Sequence, residues 1–158
     1  MKRKFILFFI PLLLSFSAHA APPILSYGGQ VSVDGQPFTG NGEFKFAILN
    51  AENNASLWSN DGTSVNGSQP SASVGIPVNG GVYSILLGNA AIQGMTGLDP
   101  TLFRQNNDTR LRIWFSDGQG FEQLSPDRQF TSVPYALSAN IPLGSIGSEL
   151  LSPAVRAD

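Results

Sequence analysis

The sequence predicts an all-β protein: an antiparallel β-sandwich of about seven or eight short strands, followed by a short C-terminal helix. Composition is the first observation behind this, because 17 Gly and 11 Pro beside only 13% charged residues suit a turn-rich sheet better than helices. Period-two alternation of apolar and polar residues is the second. The third is spacing. The apolar runs recur at short, regular intervals between Gly, Asn and Asp clusters, as in antiparallel rather than parallel sheets.

In chain order, the first segment is a leader. Lys2, Arg3 and Lys4 form a basic start, Phe5 to Phe16 an apolar stretch interrupted by Pro11, and Ala18-His19-Ala20 a small-residue cleavage site. Residues 1–20 therefore read as a secretory signal peptide, with Ala21 as the mature N-terminus. The apolar stretch is shorter than the ~20 residues a spanning helix needs, so no membrane insertion is expected after cleavage. Residues 21–139 are assigned to the β domain and 140–158 to a flexible tail or the start of a stalk.

Residues 24–33 read as the first strand, with Gly28-Gly29 marking a bulge or a close backbone approach, and Asp34-Gly35 as a turn. Residues 37–42 connect. Phe44, Phe46 and Ile48 alternate with Glu43, Lys45 and Ala47, which predicts a strand with one face in the core and one in water. A short strand is expected at Ser56-Leu57-Trp58-Ser59, then a long polar loop over 60–73 with a brief strand near Thr63 to Val65. Val74, Ile76 and Val78, then Asn79-Gly80-Gly81, then Val82 to Leu87 read as a hairpin. Asp99 and Pro100 predict a helical turn to Arg104, with Asp99 as N-cap. Leu111, Ile113 and Phe115 mark a strand over 109–116, Asp117 to Gly120 a turn, Phe121 to Leu124 a return strand and Phe130 to Val133 a last one.

Charge and residue inventory exclude many functions. Three of the 9 basic residues and the one His lie in the leader, leaving six basic against 11 acidic residues, a formal charge of −5. No basic cluster follows Lys4, so nucleic acid and anionic membranes are poor partners. With 0 Cys there is no disulfide framework and no thiolate metal site. Without His or Cys the mature chain builds neither a Ser-His-Asp nor a Cys-His nucleophile, nor a His-ligated zinc.

A Ser-Lys dyad would have to use Lys45, whose place on the polar face of its strand reads instead as solvated surface charge. Glu43, Glu122 and Asp127 are nominal carboxylates for a glycosidase, the remotest reading. Asp34, Asp61 and Asp117 each precede Gly, a placement turn geometry explains. Asn106, Asn107 and Asp108, or Asn60-Asp61, are the sites considered for calcium, without EF-hand spacing; no metal, cofactor or catalytic residue is assigned. Asn54, Asn66 and Asn107 fit the glycosylation acceptor pattern, which an Asn-rich loop protein meets by chance. More distinctive are Arg110, Arg112 and Trp114, placed by alternation on the face opposite the core. They read as a candidate face for a glycan or an acidic partner protein, with Trp58 as a second stacking platform. The plainer alternative puts Trp114 over a sheet edge or beneath the long loop, with the arginines lying across it.

The stretch Arg128-Gln129-Phe130-Thr131-Ser132-Val133-Pro134-Tyr135-Ala136 resembles the closing signature of a β module found near the N-terminus of bacterial cell-surface and tail-fibre-like stalk proteins. Ile24 to Val31 is similar to the opening of that module, and Leu57-Trp58-Ser59 to its middle. The resemblance implies an extracellular structural or adhesive part with no catalytic residues. Gly28-Gly29-Gln30 departs from the usual Gln-Gly, and the stalk is nearly absent. Ile141, Ile146 and Leu151 recur every five residues like the first rungs of a stalk repeat. Such rungs bury nothing alone, so the tail is expected to be disordered in a monomer or to join copies of the chain into a homo-oligomer. The sequence thus reads as an exported, non-enzymatic structural or adhesion module, with a carbohydrate-binding module as the alternative.

Overall fold

The structure, a computed structural model, describes residues 23–130. The leader, the tail, the expected C-terminal helix and signature residues Thr131, Ser132, Val133, Pro134, Tyr135 and Ala136 lie outside that range. The described chain is all-β with one helical turn. Its elements are β1 (Leu25–Gln30), β2 (Ser32–Val33), β3 (Gln36–Pro37), β4 (Gly40–Asn50), β5 (Ser56–Ser59), β6 (Val74–Val78), β7 (Val82–Leu87), α1 (Thr101–Gln105), β8 (Thr109–Ser116) and β9 (Glu122–Gln129). All pairings are antiparallel and no sheet closes into a barrel.

β4 is the central strand. One edge pairs with β8 from Glu43↔Ser116 to Asn50↔Thr109. Its other edge is divided: Gly40 to Phe44 pair with β6 and Ala47 to Leu49 with β5. β9 completes this five-stranded sheet beyond β8, while β1 and β7 form a separate two-stranded sheet. Period two places Phe44, Phe46, Ile48, Leu111, Ile113 and Phe115 on one face, where they share a single buried cluster with Leu25, Tyr83, Ile85 and Leu87 of the smaller sheet. Phe44 lies at its centre, 4.4 Å from the Tyr83 ring and 5.0 Å from Phe115 in tilted contacts.

The expected strands over 43–48, 56–59 and 109–116 form, but several details differ. Gly28-Gly29 makes no bulge, since β1 keeps unbroken register with β7. The glycine serves close approach: a Cβ on Gly29 would stand 2.5 Å from the Tyr83 hydroxyl. Gly80 and Gly81, at φ of 55° and 83°, make the expected tight turn, yet only the Asn79↔Val82 rung forms across it. The flanking strands are not a hairpin. β6 joins β4 and β7 joins β1, so the turn carries the chain from one sheet to the other.

No strand forms at Thr63 to Val65, where the chain is in bends and turns. The helix begins at Thr101, one position past the expected start. Asp99 accepts the Thr101 N–H at 2.8 Å, which also holds its carboxyl below the usual range. Finally, residues 122–129 form one strand rather than two. A register shift opposite Arg112 absorbs the extra residues Ser125 to Asp127, so Phe121 precedes the strand and Phe130 follows it.

Candidate functional site

Arg110, Arg112 and Trp114 do share one face of β8, as alternation requires, but that face is not the open platform expected. Trp114 is 6% exposed, within a second apolar cluster of Ala47 and Leu49 against which Phe121 packs. Lys45 joins them. It is 7% exposed, with its ammonium 4.2 Å from the centre of the Phe121 ring, so it is not the solvated surface charge expected. Trp58 is 9% exposed and donates its indole N–H to the Gly97 carbonyl at 3.0 Å, which removes it as a stacking platform too.

Arg112 is committed within the fold. Its Nε donates to Asp127 Oδ1 at 3.0 Å and Nη2 to Oδ2 at 2.8 Å, the two-pronged geometry that guanidinium and carboxylate favour. Nη1 donates to the Gly67 carbonyl and Nη2 also to Asn54 Oδ1, each at 3.1 Å. One side chain thus ties the shifted segment of β9 to the long loop and to the turn before β5. The plainer expectation of an arginine beneath the long loop describes Arg112. Arg110, by contrast, is 45% exposed and pairs with Asp108 at 3.2 Å, a surface contact of small energetic weight. Asp127 is therefore the partner of Arg112, not of Arg128 as the closing signature suggested.

The carboxylates proposed for a glycosidase do not converge. Glu43 is opposite Ser116 and Glu122 opposite Phe115, so the two point to opposite faces of the sheet. Asp127 shares the Glu43 face but lies two strands across and four residues along, about 17 Å by strand spacing and rise. That exceeds the separation of up to about 9.5 Å that paired carboxylates need. Glu43 accepts the Ser73 hydroxyl at 2.8 Å.

The loop residues considered for calcium are likewise structural. Asn60 is fully buried, where its Oδ1 accepts the Phe46 N–H at 2.9 Å and its Nδ2 donates to the Ala72 and Gly94 carbonyls. It latches two loops onto β4, a role the sequence did not reveal. Burial pushes the Asp61 carboxyl up, but the Ala72 and Thr63 amides and the Thr63 and Ser59 hydroxyls outweigh it and hold it below its ordinary value. Asn106 exchanges hydrogen bonds with Asn50 and the Leu102 carbonyl. Among the described residues no three acidic side chains gather as a metal site.

The most open concavity lies elsewhere, between the edges of β1 and β9. It measures about 570 Å³ and is lined by Tyr27, Gly28, Tyr83, Ile113, Leu124 and Arg128. Burial and the neighbouring Tyr27 phenol push the Tyr83 hydroxyl above its ordinary value, with Arg128 acting in the opposite sense. Arg128 is the one signature residue in the described range, and its register opposite Leu111 places it on the core-facing side of β9.

These features define a small, turn-rich antiparallel β domain whose polar side chains mostly hold its own loops. The family model described as a domain of unknown function (DUF8740) matches residues 26–127, and the chain belongs to that family. The match spans β1 to Asp127 and stops short of the closing signature. No curated protein and no solved structure matches the chain.

Proposed function

We propose that the protein is an exported, non-enzymatic β-sandwich module that serves as a structural or adhesion unit of the bacterial cell exterior. The observation that carries this reading is where its polar groups are spent. Arg112 with Asp127, Asn60 with three backbone groups, and Asp61 with its loop all brace the fold. The leader supplies the export reading and the closing signature the surface setting. The sandwich reading rests on the single cluster shared by the two sheets.

Expression with the leader intact, followed by fractionation and mass spectrometry, should recover a chain beginning at Ala21 outside the cytoplasm. Recovery of the mature chain from the cytoplasm alone would overturn the export reading. The purified protein should leave a panel of glycosides unhydrolysed; turnover that disappears in Glu43→Gln or Glu122→Gln would overturn the non-enzymatic one.

A further inference from the structure

Two strand edges face the groove beside Tyr27 and Arg128. Among the described residues β1 pairs only with β7 and β9 only with β8, so their outer backbone groups are open to a further chain segment. The groove continues past Ser32 and Leu124 into a second open space of about 580 Å³ beside Phe115 and Phe121. Leu124 and Ile113 give it an apolar floor. Arg128 adds donors, since the ion pairs among the described residues are those of Arg110 and Arg112.

Phe130 delivers the next segment to this opening. Its N–H donates to the Thr109 carbonyl at 3.0 Å, and its ring meets Phe103 edge-on at 5.3 Å, so the chain leaves β9 on the core-facing side. The nine residues from Thr131 to Ala139 reach about 30 Å when extended. The six-residue edge of β1 is about 20 Å long. Val133, Tyr135 and Leu137 alternate with smaller residues, Thr131, Ser132 and Ser138 supply hydroxyls, and the segment is uncharged. It therefore matches an apolar floor rimmed by unpaired backbone groups.

We propose that residues 131–139 of the same chain occupy the groove between β1 and β9, with Tyr135 as the anchor beside Tyr27 and Arg128. The closing signature is then a strap across the open side of the fold. This does not depend on what the module holds or where it is displayed.

The sequence contains 0 Cys, so introduced pairs report cleanly. In the full mature chain, Gly28→Cys with Ala136→Cys should close an intramolecular disulfide about tenfold faster than Gln129→Cys with Ala136→Cys, through its higher effective concentration. Gln129 is the control because it is nearer along the chain but on the outer face, opposite Arg110. Equal or slower closure of the Gly28 pair would overturn the proposal. Disulfides that form only between chains would overturn it too, assigning the groove to a second copy. Gln30→Cys, on the same groove edge, replaces Gly28→Cys if circular dichroism shows that variant unfolded.

Discussion

The two faces of the five-stranded sheet are both withdrawn from water around β4 and β8, by different means. The inner face meets a second sheet across an aromatic cluster of Phe44, Phe46, Tyr83 and Phe115. On the outer face Ala47, Leu49 and Trp114 are packed with Phe121 and Lys45, beside the Arg112 bridge to the loop at Gly67 and to Asp127. The inner face is built from shape and apolar area; the outer one mixes apolar packing with paired polar groups. A strand with alternating chemistry can therefore be buried on both sides when loops supply the second cover.

The largest effect is expected on the inner face. Phe46→Ala, which removes a fully buried ring, should lower unfolding free energy in urea by about 3–5 kcal/mol. On the outer face Arg112→Ala should cost less, about 2 kcal/mol, because the pair is partly exposed, at 18% and 16% for its two side chains. A double-mutant cycle with Asp127→Ala should show positive coupling, and additive losses would break the claim that this pair holds the cover.

Lys45→Met should fall within about 1 kcal/mol of the parent in the same measurement, since the stem still packs and only the contact with Phe121 is lost. A loss as large as that of Phe46→Ala would make the ammonium a buried structural charge instead.

The smallest effect concerns Asp61 and pH. Its folded value is depressed below 3.8, so its stabilisation is complete above the unfolded value and is lost as pH falls through the folded one. The stability difference between the parent and Asp61→Asn should therefore shrink as pH drops below about 4. A constant difference would mean that the carboxylate does not hold its loop.

Alternation in Phe44, Phe46 and Ile48, and in Leu111, Ile113 and Phe115, was enough to read the central strands and the inner core from sequence. The outer face was not legible. Glu43, Lys45 and Ala47 look solvent-facing until a loop more than a dozen residues away is placed over them, and local period carries no information about that cover. Asn79-Gly80-Gly81 announced a reversal correctly but could not say whether its two strands share a sheet, because that depends on β1 and β4. Asn60 reads as turn chemistry in Asn60-Asp61-Gly62, and only its distant partners at Phe46, Ala72 and Gly94 make it a latch. The Arg112 site was half visible: residue type and face followed from alternation, whereas Asp127 reached it through a register shift that no motif signals.

The divided pairing of β4 also bears on when the chain folds. One edge needs β5 and β6, and the other needs β8, so the central ladder stays incomplete until Ser116 has been synthesised. Contacts of such long sequence separation form slowly, since loop closure precedes any reward from pairing. A nascent chain ending before β8 therefore has a half-paired central strand and little to hold it compact. For the exported role proposed above this delay is useful: it leaves time for an unfolded thread to be handed across a membrane before the sheet locks.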